Sequence, residues 1–391
     1  MRRKAVPPIL LLALSLFVLA TAQTEEPIKI ALVGPMSGDL ARMGRYMREG
    51  AELAISEWNE KGGVFGRKAE LLVGDDQADP KQAVLVAKRM VSEGVFGVVG
   101  HFTSSTSIPA SGIYHEAGIL QITPASTDPR LTEQGFDNVF RTCGRDDQQG
   151  RVAAEFVLKT LKAKRIAAVH DKTPYGHGLA QAFRKAVEGK GRRLLAYEAI
   201  MQGERDFTEL VERLKPLRLD VLYFGGLYRE AGLLLRQMRE QGLKAAFVSG
   251  DGVIGEEFVR VAGEKAALGS YLTSYPDPKF LPSAKVVIAR YEKRYGPIGP
   301  YSLYTFDATS ALLYAVEKAK PKDGSKQELR KVAQAFRAMT YVGALGSYRW
   351  DRKGDIVGAP YVVYVTKKGG NYQGWFAQIT GIPKTAVRRE T

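Results

Sequence analysis

The sequence predicts an α/β protein made of two doubly wound, Rossmann-like lobes, each with a mostly parallel sheet. Short apolar runs of β character alternate with amphipathic stretches long enough for helices, which is the pattern of βαβ units. This alternation restarts after Cys143, with about four β-like runs before it and four or five after it. A chain of 391 residues is also long enough for two or three domains with separate cores.

The first series of elements precedes Cys143. The predicted strands are 28–33, 70–73, 95–99 and 119–123, and the predicted helices are 45–61, 80–93 and 106–117. Glycine follows several predicted helices, where a left-handed C-cap is favoured. Five positions fit this rule: Gly62, Gly94, Gly118, Gly191 and Gly242.

The second series of elements follows Cys143. The predicted helices are 148–162, 178–188, 206–214 and 230–240, and the predicted strands are 165–169, 194–197, 221–224 and 246–249. The last section, 268–391, combines a strand, long helices and a terminal hairpin pattern. This mixture does not suit an independent third domain, so we expect it to return and complete both lobes.

The N-terminal segment has the pattern of a cleavable signal peptide. Arg2, Arg3 and Lys4 precede an aliphatic run, and Ala20-Thr21-Ala22 fits the small-residue cleavage pattern. The prediction is a signal peptide at residues 1–22 and a secreted chain starting at Gln23. The alternative is an uncleaved anchor, but the apolar run is shorter than the roughly 20 residues that a span needs.

Composition and charge exclude several classes of protein. The chain is 45% hydrophobic and 25% charged, which is a globular composition and not that of a disordered or collagen-like chain. Its net charge is +15, but basic residues are interleaved with acidic ones, so we expect no nucleic-acid partner. The single cysteine, Cys143, follows an apolar stretch and is predicted to be a buried structural thiol.

Enzyme and cofactor motifs are weak or missing in the sequence. Residues 250–255 match G-x-G-x-x-G after a predicted strand, but the acidic residue expected about 20 positions later is absent. There is no phosphate-binding loop, H-E-x-x-H or G-x-S-x-G motif, and the four histidines lack metal-ligand spacing. We therefore predict no catalytic residue, no metal and no cofactor.

The loops after the predicted strands carry the functional information, because open α/β sheets bind ligands outside the carboxyl ends of their strands. Two such loops, 100–106 and 124–129, are rich in hydroxyl groups and start helices. Hydroxyls beside the N–H groups of a helix N-terminus suit a carboxylate; the alternative is ordinary helix capping. Asp251 follows another strand, where the alternatives are a ligand contact and a turn in Gly250-Asp251-Gly252.

Longer motifs at these strand ends resemble a known family, the periplasmic leucine/isoleucine/valine-binding proteins of ABC importers, which belong to the type I periplasmic binding proteins. The similarity extends from Ile28 to about Tyr364. The motifs that carry it are 59–66, 75–83, 100–105, 123–127, 170–176 and Asp206-Phe207.

The resemblance implies a Venus-flytrap fold, in which two α/β lobes are joined by three hinge crossings and trap a ligand in the cleft. We place the crossings near 144–146, 273–275 and 352–355. On this basis lobe 1 is 23–145 plus 274–353, and lobe 2 is 146–273 plus 354–391.

The resemblance also implies a set of ligand-binding residues. The ligand carboxylate would meet Ser104 and the N–H groups of Ala125 and Thr127. The ammonium would meet the Thr127 hydroxyl, a carbonyl near Ala125, and Asp251. The pocket for the ligand side chain would comprise Met43, Phe102, Tyr175, Leu227 and Tyr301, and the neighbouring Thr103 and Ser126 complete the candidate site.

The sequence departs from the family pattern at several of these positions. Leu227 stands where the family has tyrosine, Met43 replaces an aromatic residue, and Asp251 replaces glutamate. Ala78 and Thr103 occupy the positions of the family's disulfide. These differences preserve a clamp for an amino-acid zwitterion and leave the ligand side chain open.

The resulting hypothesis is a non-enzymatic, monomeric periplasmic receptor that delivers a branched-chain or other apolar amino acid to an ABC permease. The competing hypothesis keeps the receptor fold but assigns it an aromatic or aliphatic carboxylic acid, or an amide or urea-type ligand, which needs no acidic group for an ammonium. A ligand-sensing regulatory subunit and an oxidoreductase are disfavoured, the first by the signal peptide and the second by the missing cofactor motif.

Overall fold

The computed structural model describes residues 26–381, so the predicted signal peptide lies outside the described residues. The strands are β1 (Ile28–Gly34), β2 (Ala69–Asp75), β3 (Gly97–Gly100), β4 (Leu120–Thr123), β5 (Val139–Arg141), β6 (Ile166–His170), β7 (Ala196–Ala199), β8 (Val221–Gly225), β9 (Ala246–Ser249), β10 (Tyr271–Ser274), β11 (Tyr341–Gly343), β12 (Gly346–Tyr348), β13 (Val362–Gly370) and β14 (Gly374–Gln378).

Two large sheets organise these strands. The first has the order β2-β1-β3-β4-β5 and is parallel throughout. The second has the order β14-β13-β10-β9-β8-β6-β7 and is parallel except for β13, which runs antiparallel to both neighbours. The predicted fold class of two doubly wound, mostly parallel lobes is confirmed.

The helices cover the faces of both sheets. They are α1 (Ala41–Glu60), α2 (Pro80–Ser92), α3 (Ser104–Ala117), α4 (Arg130–Glu133), α5 (Asp146–Glu155), α6 (Pro174–Glu188), α7 (Thr208–Leu214), α8 (Tyr228–Glu240), α9 (Glu256–Ala262), α10 (Glu264–Ala267), α11 (Lys285–Tyr295), α12 (Ser302–Ala319) and α13 (Lys326–Ala338). Because each strand is buried between helix layers, almost all residues of β1, β3, β4, β6 and β8 are inaccessible to water.

The chain passes three times between the two halves of the molecule. It leaves the first sheet after β5, returns after β10, and rejoins the second sheet after β12. The last section completes both halves as expected, because α12 packs on β3 and β4 while β13 and β14 extend the second sheet. The lobe boundaries given above stay predictions.

Several elements differ from the sequence prediction. β5 was missed because three residues are too few to show a period. α6 begins at Pro174 rather than 178, since the Thr173 hydroxyl accepts a hydrogen bond from Gly176 N (3.0 Å) and proline suits the first helical position. α1 begins four residues earlier than predicted, and the helix predicted at 148–162 is α5 followed by a π-helical turn at Phe156–Thr160.

Cys143 is fully buried, as predicted, and burial raises the pKa of its thiol to about 12. Within residues 26–381, no helix has the length and apolar character needed to cross a membrane. In the same part of the chain, no three His, Cys, Asp or Glu side chains converge in a way that suits a metal ion.

Candidate functional site

The carboxyl ends of the two sheets face each other across a cavity. Its walls come from the loops after β3 and β4 on one side and from those after β6, β7, β8 and β9 on the other. Space that no atom fills amounts to about 400 Å³, open solvent included. The lining residues are Phe102, Thr103, Ser104, Ser105, Ala125, Thr173, Tyr175, Gln202, Leu227, Asp251, Gly252 and Tyr301.

Asp251 is the only acidic residue among those lining residues. Only 2% of it is exposed. The hydroxyl of Tyr175 donates to Oδ1 (3.0 Å) and that of Tyr301 to Oδ2 (3.1 Å). Burial raises the pKa of this carboxyl, against the lowering effect of Gln149 and of the hydrogen bonds from Tyr175 and Tyr301. Within residues 26–381, no cationic side chain forms an ion pair with it, so a cationic group of a ligand would meet an uncompensated carboxylate.

Tyr175 lies beside Asp251 on the same wall because α6 starts directly against the end of β8. Gly176 and Gly225 permit this close approach: a Cβ atom on Gly176 would lie 2.1 Å from Asp171 Oδ1, and one on Gly225 would lie 2.2 Å from Gly176 O. The Tyr175 hydroxyl accepts a hydrogen bond from Gly252 N (3.0 Å) while it donates to Asp251. Its position is therefore fixed from both sides.

The wall opposite Asp251 carries hydroxyl groups at the N-terminus of α3. The Thr103 hydroxyl lies 2.9 Å from Ser105 Oγ and 2.8 Å from Thr106 Oγ1, and the Ser104 hydroxyl accepts from Asp128 N (3.2 Å). The first N–H groups of a helix have no partner within the helix and attract negative charge. This wall therefore suits an anionic group.

The loop after β4 supplies the second part of that wall. Thr123 Oγ1 accepts from Ala125 N (3.2 Å) and Ser126 N (2.9 Å), so the predicted ligand donor Ala125 N is already paired. By contrast, Thr127 N–H donates no hydrogen bond within the described part of the chain, although Thr127 is fully buried. This N–H is available to an acceptor that the protein does not supply.

Tyr301 connects the two walls. It immediately precedes α12 in a left-handed backbone conformation (φ 67°), and its ring packs edge-on against Phe102 at 5.1 Å between centroids. The same ring carries the hydroxyl that donates to Asp251. An aromatic surface is thus continuous from the first sheet to the buried carboxylate.

The structure brings most, but not all, of the predicted site residues to the cavity. Those that line it are Phe102, Thr103, Ser104, Ala125, Tyr175, Leu227, Asp251 and Tyr301. Met43, Ser126 and Thr127 are buried but do not line it. The Ser126 hydroxyl turns inward, 2.6 Å from Ser107 Oγ.

Sequence reasoning missed the lining residues Ser105, Thr173, Gln202 and Gly252. Ser105 and Gly252 adjoin predicted residues, and Thr173 is the capping residue of α6. The strand-end rule would have indicated Gln202, but β7 ends two residues later than its apolar pattern suggests.

Asp146 is a second buried carboxylate near the site, at the start of α5. Burial raises its pKa well above the usual value; the Thr127 hydroxyl opposes this effect, while Asp128 and Asp251 add to it. Sequence reasoning placed Asp146 only at a hinge crossing. Asp251 is therefore close enough to Asp146 to disfavour its ionised form.

The two sides of the cleft also touch outside the cavity. On the side of the first sheet, α1 contributes Arg42, which pairs with Glu256 and, at 2.5 Å, with Glu257. The preceding Asp39 pairs with Arg229, and its carbonyl accepts a hydrogen bond from the Tyr228 hydroxyl. The structure therefore shows the cleft closed.

Two lobes closed over a cavity, with a wall of hydroxyl groups opposite an acidic one, define a solute-binding receptor. Residues 27–371 match the family model described as periplasmic binding protein. The chain belongs to the periplasmic binding protein family.

Individual relatives agree with this assignment. The chain is 42% identical to the Leu/Ile/Val-binding protein homolog 1 of Brucella melitensis over 86% of this chain and 90% of that protein. The leucine-binding protein LivK of Thermotoga maritima superposes with a TM-score of 0.82 at 30% identity, over 92% of this chain and 99% of that one. The branched-chain amino acid transporter substrate-binding protein LivJ of Streptococcus pneumoniae, solved in complex with isoleucine, has a TM-score of 0.80 at 26% identity, over 90% and 100%.

Proposed function

We propose that this protein is a periplasmic receptor that closes on a branched-chain or other apolar amino acid and delivers it to an ABC permease. Asp251 is the observation that carries the proposal: it is a buried carboxylate at the cavity with no cationic partner within residues 26–381. An uncompensated buried charge costs several kcal/mol. The α-ammonium of an amino acid would remove this cost.

The opposite wall complements the ligand carboxylate. Ser104 and the N-terminus of α3 offer hydroxyl and N–H donors at the cavity. Thr127, two residues after the cavity-lining Ala125, adds a buried N–H without a protein acceptor in residues 26–381. Between the two polar walls the lining is apolar or aromatic, with Phe102, Leu227 and the ring of Tyr301. This distribution fits a zwitterion with an apolar side chain, and the names of the relatives support the same ligand class.

Family membership and the predicted signal peptide support a periplasmic location and a permease as partner. We propose a monomeric receptor without enzymatic activity; among the described residues that line the cavity, binding groups lie at both ends and no nucleophile is paired with a base. Transport then requires only that the closed and open forms alternate.

The test is a thermal-shift screen of the chain from Gln23 onwards against the twenty amino acids, benzoate, phenylacetate and small amides. A ligand at a hundredfold excess over Kd stabilises the folded protein by about 2.7 kcal/mol. We expect leucine, isoleucine or valine to give the largest rise in Tm. A rise with aromatic acids or amides alone would contradict the amino-acid assignment and favour the competing ligand class.

A further inference from the structure

Arg141, at the end of β5, is fully buried and contacts the loop that follows β4. Its Nη1 donates to the carbonyl of Ser126 (2.7 Å), and its Nη2 donates to the carbonyl of Asp128 (3.1 Å) and to Thr132 Oγ1 (2.8 Å). Its Nε lies 2.7 Å from Asp355 Oδ1. The guanidinium thus holds two of the three carbonyls in the segment 126–128.

Asp355 belongs to the third predicted hinge crossing and is shared between two arginines. Its Oδ2 accepts from Arg145 Nη1 (2.7 Å), at the first predicted crossing, and its Oδ1 accepts from Thr132 Oγ1 (2.8 Å). Burial tends to raise the pKa of this carboxyl, but the effects of Arg141, Arg145 and Thr132 prevail, and the pKa is lowered. The carboxylate is therefore ionised and anchors Arg141.

The bond from Arg141 to the Ser126 carbonyl fixes the direction of a neighbouring donor. The Ser126 carbonyl and the Thr127 N–H belong to one planar trans peptide group, in which C=O and N–H point in opposite directions. Since Arg141 takes the carbonyl, the Thr127 N–H points away from Arg141. The same loop reaches the cavity on both sides of this peptide group, because Ala125 lines the cavity and Asp128 N donates to the cavity-lining Ser104.

We propose that Arg141 is a positioning residue for ligand recognition: it orients and polarises the Ser126–Thr127 peptide so that the Thr127 N–H binds the carboxylate of the amino acid. This inference rests on the proposed function. In this role the Arg141 guanidinium acts through the Ser126–Thr127 peptide group and does not itself contact the ligand. Because Asp355 also belongs to a hinge crossing, the same contact joins the carboxylate-binding loop to the hinge.

The test compares L-leucine with L-leucinamide, which keeps the side chain and the ammonium but replaces the carboxylate by a neutral amide. Calorimetry at about pH 6, where both ligands carry the ammonium, gives the ratio of their Kd values. We expect Arg141→Lys, which keeps the charge but loses the fork of donors, to lower the preference for leucine by about 3- to 10-fold. Arg145→Lys is the matched control, because Arg145 binds the same Asp355 carboxylate but donates no hydrogen bond to 124–128; its ratio should match wild type.

Thr132→Val is a second variant for the case in which Arg141→Lys fails to fold. It removes one acceptor of Arg141 and should lower the same ratio by a smaller factor. An unchanged ratio in the folded Arg141 variant, or in Thr132→Val if the former is unfolded, would overturn the positioning role. Wild-type protein that binds neither leucine nor leucinamide would instead contradict the proposed function itself, and this inference with it.

Discussion

Tyr301 and Asp251 meet across the cleft: the Tyr301 hydroxyl lies 3.1 Å from Asp251 Oδ2 and 3.2 Å from the Asp251 carbonyl oxygen. Tyr301 precedes α12, which packs on the first sheet, whereas Asp251 follows β9 of the second. The group proposed to bind the ligand ammonium is therefore also a contact that closes the cleft. Asp251 would thus take part both in ligand recognition and in closure of the cleft.

Removal of that hydroxyl should weaken binding. In Tyr301→Phe the ring contact with Phe102 stays, but one hydrogen bond to Asp251 is lost. Such a bond contributes about 0.5–1.5 kcal/mol, so Kd for leucine should rise about 2- to 12-fold. Tyr348→Phe is the control, because its hydroxyl binds the buried Asp307 away from the cavity (2.9 Å). Equal affinities of Tyr301→Phe and wild type would contradict the contact's role.

Binding should depend on pH in a direction set by Asp251. Its pKa is raised, with burial as the largest cause, and the ligand ammonium needs the ionised carboxylate. Affinity should be constant between the raised pKa and the alkaline range in which the ligand ammonium deprotonates, and should fall as the pH drops through the raised pKa, by up to about tenfold per pH unit. Calorimetry over a pH series measures this. An affinity that grows towards acidic pH would indicate a ligand carboxylate near Asp251 instead of an ammonium.

The ion pairs of Arg42 should favour the closed state. Arg42 joins α1 to Glu256 and Glu257 at the start of α9, and Glu257 is almost fully buried. Small-angle scattering should show compaction of wild type when leucine is added, because only a ligand that contacts both lobes shifts this equilibrium.

Arg42→Gln should need a higher leucine concentration for the same compaction. Arg48→Gln is the matched control, since Arg48 pairs with Glu52 on its own helix. The absence of compaction in wild type with bound ligand would contradict the predicted closure of the lobes about the hinge.

The parts of this protein that the sequence predicts well are those set by local pattern. Period and glycine position predicted two lobes and most of their strands, though not β5, and the strand-end rule singled out Asp251. The resemblance supplied Tyr175 and Tyr301, which the structure brings to the same cavity. Local pattern failed at Gln202, because the end of β7 is decided by its pairing with β6 rather than by its own hydrophobicity.

Arg141 shows a second limit of local pattern. In the sequence it is one basic residue in the apolar stretch 139–143, with nothing to distinguish it. Its partners come from two separate segments, 126–132 and the crossing that contains Asp355, which only the folded chain brings together. Met43, which the resemblance assigned to the pocket, is buried in the core and is not among the residues that line the cavity, so its contact with a ligand stays a prediction.

The proposed recognition of an amino-acid zwitterion depends most on the charge of Asp251, and Asp251→Asn tests this dependence directly. The variant keeps the size of the side chain but removes the counter-charge of the ligand ammonium. Loss of a charge-assisted hydrogen bond costs about 1.5–3 kcal/mol, which corresponds to about 10- to 150-fold in Kd. Asp277→Asn, at a buried aspartate that does not line the cavity, is the control for a general effect on folding.

Calorimetry of wild type and Asp251→Asn with leucine and with phenylacetate is therefore the decisive measurement. We predict that leucine binds wild type and loses at least about tenfold in affinity in the variant. Phenylacetate has no ammonium, so its affinity for the variant should be no lower than its affinity for wild type. Undiminished leucine affinity in Asp251→Asn would contradict the clamp for a zwitterion.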